Sequence, residues 1–166
     1  MLTHESRRLP SWLIFNVRPM SASPVLFLPL VGLVPFTAKK GHGSFVTFSL
    51  TSTPESPVEE FYFWVYLCYW WIRTADGELA HCESTDDEIV SAVSELNGRK
   101  LNEIVLHDYV TQDGLFHGAS LSFAGDLTMK LASMRTAPRE NAIFITRNVA
   151  KDWVSYYADS SINTGS

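Results

Sequence analysis

Twelve consecutive residues, Phe61 to Ile72, are all apolar or aromatic, so no regular element built from them has a polar face to turn towards water. Both faces must be covered. β-Branched and aromatic side chains suit a pleated surface better than a helix, and Ala75-Asp76-Gly77-Glu78 follows at once as a turn, so the run is expected to form a central strand entering a hairpin. Its alternate positions make two apolar faces, one led by Phe61, Phe63 and Val65, the other by Tyr62, Trp64 and Tyr66. One face is expected to meet a helix. The other requires a second sheet, a partner chain or a ligand.

The chain has 166 residues, of which 46% are hydrophobic and 13% aromatic, enough for one core at the usual size of a single domain. We therefore expect one domain over 1–166, with frayed tails at 1–10 and 160–166. The formal net charge of -5, with basic residues scattered apart from Arg7-Arg8 and Lys39-Lys40, argues against a nucleic-acid partner, which would need a clustered basic surface. Two cysteines do not make a disulfide framework. With Asp76-Gly77 as a two-residue turn, Ala75 pairs with Glu78 and Cys82 falls opposite Trp71, which points Cys68 to the other face; two free thiols and a reducing compartment are expected. The apolar stretch from Val25 to Phe36 is too short to span a bilayer, which takes about 20 residues in a helix, and Pro29, Gly32 and Pro35 interrupt it. No membrane partner and a cytoplasmic location are expected.

Local signals then divide the chain. Lys39-Lys40-Gly41-His42-Gly43 is a turn leading to a strand from Ser44 to Leu50, and Thr51 to Glu60, with Pro54 and Pro57, is a polar loop expected to be mobile. Thr85-Asp86-Asp87-Glu88 fits a capping box, with Ile89, Val90, Ala92, Val93 and Leu96 as an apolar stripe and Asn97-Gly98 as the stop. This predicts the principal helix over about 86–96. The remainder reads as strands near 101–109, 119–123, 127–131, 142–146 and 153–157. The fold class expected is α+β, a twisted, mostly antiparallel sheet with the helix packed on one face.

Chemical motifs are sparse. His81-Cys82-Glu83 contains the His-x-Glu of zinc deaminases, but the companion Pro-Cys-x-x-Cys is missing, so the metal set cannot be completed. His107-Asp108 and His117 could join Glu83 or Asp126 only through the fold. No serine elbow, His-Glu-x-x-His or dinucleotide fingerprint occurs. No metal and no cofactor are expected, and no catalytic residue is assigned.

The succession Ser11-Trp12-Leu13-Ile14-Phe15, Leu28-Pro29-Leu30-Val31-Gly32-Leu33, Lys39 to Phe48, Trp64 to Trp70, and Thr85-Asp86-Asp87-Glu88 with Leu96-Asn97-Gly98 resembles a group of small bacterial α+β proteins, immunity-protein-like and without an assigned activity. The resemblance implies a bacterial protein that acts by binding. The expected function is thus non-enzymatic, an immunity-type protein covering a toxin, with Trp64, Tyr66 and Trp70 as anchors and Glu59 and Glu60 at the rim. Two alternatives stand beside it: a small hydrolase or ligand-binding enzyme using His81, Glu83, His107 and Asp108 in a cleft, and a structural homodimer that buries the second aromatic face.

Overall fold

The aromatic run is not one strand. In the computed structural model, which describes residues 16–19, 27–65, 68–111, 114–133, 141–147, 153–157 and 162–165, its first half is strand β4 (Phe61–Val65) and its second half is β5 (Cys68–Thr74). The two halves belong to different sheets. Before them come β1 (Asn16–Pro19), a 3₁₀ turn at Leu28–Leu30, β2 (Val34–Lys40) and β3 (Val46–Thr51). After them come β6 (Gly77–His81), helix α1 (Asp86–Ser94), β7 (Leu101–Thr111), β8 (Gly114–Phe123), β9 (Leu127–Ser133), β10 (Asn141–Arg147), β11 (Trp153–Tyr157) and β12 (Ile162–Gly165).

The first sheet has the order β1-β7-β8-β9-β5-β6 and the second β12-β11-β10-β4-β3-β2, with every described pairing antiparallel. The fold is α+β and mostly antiparallel, but the expected single twisted sheet is corrected to two. The physical reason lies in the run itself, because dividing it gives each sheet a short strand with its own core-facing row, and on the outer rows Trp71 of β5 is buried whereas Tyr62 and Trp64 of β4 are half-exposed. Phe63 and Val65 from β4 and Cys68, Trp70 and Ile72 from β5 enter the same buried cluster. Phe48 of β3 stacks on Phe63 at 4.7 Å and meets Phe123 of β8 edge-on at 6.5 Å, joining the two sheets through one core. Trp70 donates from Nε1 to the Ser44 carbonyl at 2.6 Å, so its polar edge is satisfied although the ring is 1% exposed.

The hairpin register also differs from the expectation. Thr74 pairs with Gly77, leaving Ala75 and Asp76 as the turn, and a shift between Ile72 and Arg73 then sets Ile72 opposite Ala80 and Trp71 opposite His81. Cys82 donates its N–H to the Trp70 carbonyl at 3.0 Å and packs against the core, so it shares a face with Cys68. The expected opposite faces are overturned by that one-residue shift, which a turn-based count cannot see. Both thiols are free, as expected.

Helix α1 starts where the sequence places it. Thr85 N–H donates to Glu88 Oε2 at 2.9 Å and Glu88 N–H to Thr85 Oγ1 at 3.4 Å, both halves of the capping box. Ile89, Ala92 and Val93 are buried, and so is Leu96 just beyond the helix end. The strands nearest α1 are β2 and β6, the terminal strands of the two sheets. Asn97 Oδ1 accepts from Ala38 N–H at 2.8 Å, Gly98 N–H donates to the Pro35 carbonyl at 2.9 Å, and Lys40 Nζ lies 3.2 Å from Asp86.

The segment read as a frayed tail contains β12, which pairs with β11 from Tyr156↔Ile162 to Trp153↔Gly165; residues 1–10 lie outside the described residues. The β8–β9 turn, Ala124-Gly125-Asp126, has φ of +76° at Gly125, and a Cβ there would stand 2.5 Å from Arg99 Nη1. The positive φ favours glycine there, while the Arg99 guanidinium is the flexible end of a long side chain and can move aside. No helix among the described residues is long and apolar enough to cross a membrane.

Candidate functional site

Two of the residues expected as binding anchors, Trp64 and Trp70, do not share a surface. Trp70 is core. Trp64 lies on β4, half-buried on the side away from the core cluster, with Phe45 edge-on at 6.4 Å. Tyr66 lies outside the described residues. Glu59 and Glu60 fasten the loop that precedes β4 to the end of β3. Ser49 Oγ donates to Glu59 Oε2 at 2.5 Å, and the N–H and hydroxyl of Ser52 donate to Glu60 Oε1 at 2.6 and 2.5 Å. The two Ser52 donors hold the Glu60 carboxyl below its ordinary range, the hydroxyl contributing more than the amide. Thr51 Oγ1 accepts from Thr53 N–H at 3.1 Å and Val58 N–H at 3.4 Å, so the stretch expected to be mobile is tied across its width.

The hydrolase alternative fares differently. His81 is on β6 and His107 on β7, and β5, β9 and β8 stand between them; at roughly 4.8 Å per strand the two backbones are about 19 Å apart along the sheet. His81 Nδ1 lies 3.0 Å from both Glu78 Oε1 and Ser84 Oγ, and Ser84 Oγ also accepts from His81 N–H at 3.0 Å. Those contacts close the turn between β6 and α1. Glu83 is exposed in that turn. His107 shares its sheet face with Lys130, and burial, with Lys130 second and Glu103 opposing, lowers its imidazole pKa. The backbones of Asp108 and His117 are cross-strand partners in β7 and β8, and their side chains lie outside the described residues. The two halves of the expected His/carboxylate cleft are therefore not brought together. Among the described residues no group of three or more His, Cys, Asp or Glu could hold a metal ion.

A different site emerges where α1 passes the β5–β6 hairpin. An open groove of about 630 Å³ runs between them, with Asp76 and Leu79 on the hairpin side and Asp87, Glu88, Ser91 and Glu95 on the helix side. Asp87, Ser91 and Glu95 fall four residues apart, which aligns them on one helix face about 6 Å from step to step. Glu88 is occupied by the cap and Glu95 Oε2 is 2.8 Å from Arg99 Nη2. Asp76 and Asp87 carry no ion pair among the described residues. The groove wall includes a large exposed apolar side chain, Leu79 at 40% on the hairpin, whereas Val90, at 55%, lies on another face of the helix.

The sequence pattern did not show this groove, because Thr85-Asp86-Asp87-Glu88 is accounted for as a helix cap. A signal was present. From Asp76 to Glu95 every charged residue is acidic, and the flanking basic residues are Arg73 and Arg99. Only the fold shows that hairpin and helix place these carboxylates around one concavity. No family model, curated protein or solved structure matches this chain.

Proposed function

We propose that this protein is a non-enzymatic binding protein of immunity type, which neutralises a basic protein such as a bacterial toxin by docking it against the acidic lobe made of α1 and the β5–β6 hairpin. The observation that carries the reading is the unbroken acidic stretch from Asp76 to Glu95 lining one open groove. A surface of one sign raises the encounter rate with an oppositely charged partner, and the exposed Leu79 in the groove wall supplies apolar contact at the same place. Bracing of α1 against β2 and β6 holds the carboxylates in fixed relative positions, which limits the ordering cost of association. Relative to the sequence-based expectation, the interface moves from the aromatic strand to the helix and hairpin, because Trp70 is needed inside.

The test is titration calorimetry with the product of the adjacent gene, at two salt concentrations. Asp76→Lys combined with Asp87→Lys is expected to weaken binding at least about tenfold and to flatten its salt dependence, while circular dichroism stays unchanged. Undiminished affinity in that folded double variant would remove the acidic lobe from the interface. Turnover of a substrate that is lost in a folded His107→Ala variant would replace the binding reading with an enzymatic one.

A further inference from the structure

Asn97-Gly98 closes the turn after helix α1, and Asn97 is the one asparagine of this chain that a glycine follows. The pair suits the helix stop, since Gly98 takes φ of +78°. It also suits a chemical reaction. Where glycine follows asparagine, no Cβ shields the next backbone nitrogen, and that nitrogen can close a five-membered ring on the side-chain amide carbon. Asn97 and Gly98 are both exposed, and a Cβ built at Gly98 would meet nothing within 4 Å, so water reaches the pair.

In the folded chain both reacting groups are held by β2. Gly98 N–H donates to the Pro35 carbonyl at 2.9 Å, and Asn97 Oδ1 accepts from Ala38 N–H at 2.8 Å. The flanking amides are bound as well, Asn97 N–H to the Ser94 carbonyl at 3.1 Å and Arg99 N–H to the Leu96 carbonyl at 3.2 Å. The two contacts with β2 act in opposite directions. The Ala38 bond draws charge onto Oδ1 and by itself would make the amide carbon easier to attack. The Pro35 bond keeps the proton on the Gly98 nitrogen, and an amide nitrogen that retains its proton does not attack. The second effect wins, because the ring cannot close until that proton leaves. Releasing it means parting the end of α1 from β2.

We propose that Asn97 is a deamidation site which the joint between α1 and β2 keeps shut, so that its modification records opening of that joint. The step balances with water as the only co-reactant. The Gly98 nitrogen bonds to Asn97 Cγ, ammonia leaves with the side-chain nitrogen and the proton lost from Gly98, and water opens the succinimide to aspartate or isoaspartate. An aspartate at 97 sets negative charge at the C-terminal end of α1, where the helix dipole disfavours it. An isoaspartate adds a methylene to the main chain and shifts Gly98 away from Pro35. Either product weakens the joint whose opening produced it. The site is separate from the acidic groove and does not rest on the binding function proposed for it.

The experiment incubates the whole protein in mildly alkaline buffer, folded and in guanidinium chloride, and follows the peptide containing Asn97 by mass spectrometry, with isoaspartate separated by chromatography. In the unfolded chain Asn97 is expected to exchange amide for carboxyl before any other asparagine. The folded protein should react at least about tenfold more slowly, because the reaction waits for local opening, and the Gly98 amide should be protected from hydrogen exchange for the same reason. Equal rates in the folded and unfolded protein, or a freely exchanging Gly98 amide, would overturn the gate. An unfolded chain that does not react at Asn97 would overturn the site. Asn97→Gln, shown by circular dichroism to be folded, should lose the mass gain in this peptide; a gain that persists would place the reaction elsewhere and overturn the assignment.

Discussion

Strands β4 and β5 come from one uninterrupted apolar run, yet they solve different problems. In β5, Cys68, Trp70 and Ile72 face the common core and Trp71, on the other side, is also buried, at 4% exposure. In β4, Phe63 and Val65 enter the core while Tyr62 and Trp64 on the other side remain half-exposed. The same kind of residue, tryptophan, therefore has two roles six positions apart. Trp70 is a sealed and hydrogen-bonded core member, and Trp64 is a partly covered neighbour of Phe45. Hydrophobicity alone did not separate them; position relative to the crossing between sheets did.

Truncating the two tryptophans tests that contrast most directly. Trp70→Ala should destabilise by about 3–5 kcal/mol, through lost burial and the cavity left between the sheets, and Trp64→Ala by less than about 1.5 kcal/mol, both read from urea midpoints. Equal losses would erase the distinction between the two halves of the run. Ile89→Ala should cost about 2–5 kcal/mol, since its side chain fills the shared core from the helix side and is 2% exposed. A loss under 1 kcal/mol would mean that α1 is not packed as described. Thr85→Ala should cost about 0.5–2 kcal/mol by removing one half of the capping box, with the loss visible as reduced helix signal.

The smallest effect sharpens the β4 side. Glu60, just before β4, has a folded-state pKa below its ordinary 4.5, because Ser52 donates to the carboxylate. Its contribution is therefore fully present above about pH 4.5 and fades as the pH falls through the lower folded value. Below pH 4.5 the stability advantage of the wild type over Glu60→Gln should shrink towards zero. An advantage independent of pH between 6 and 3 would show that the Ser52 contacts do not select the ionised form.

Local features were legible wherever the deciding contacts lie within a few residues. The helix cap at Thr85 and Glu88, the turn at Ala124-Gly125-Asp126 and the strand Trp153–Tyr157 all follow from short-range pattern. Leu79 and Glu95 were not legible as groove residues, because the hairpin and the helix meet only in the folded chain. The hairpin register escaped for a related reason: the shift at Ile72 and Arg73 is a property of the strand pair, and it moves Cys82 from opposite Trp71 to opposite Trp70.

By itself, the sequence determined that the run from Phe61 to Ile72 has no polar face, that α1 begins after Thr85, and that acidic residues are the charged ones between Asp76 and Glu95. Each of these depends on side-chain chemistry and near neighbours. The tertiary structure alone decided that the run divides between two sheets, that Trp70 is inside while Trp64 is half-covered, and that Lys130 and Arg73 stand as diagonal neighbours on one sheet face. Those outcomes depend on which strands pair at long range, and burial is shared among every strand that reaches the core, so no window of the chain contains enough of the partners to fix them.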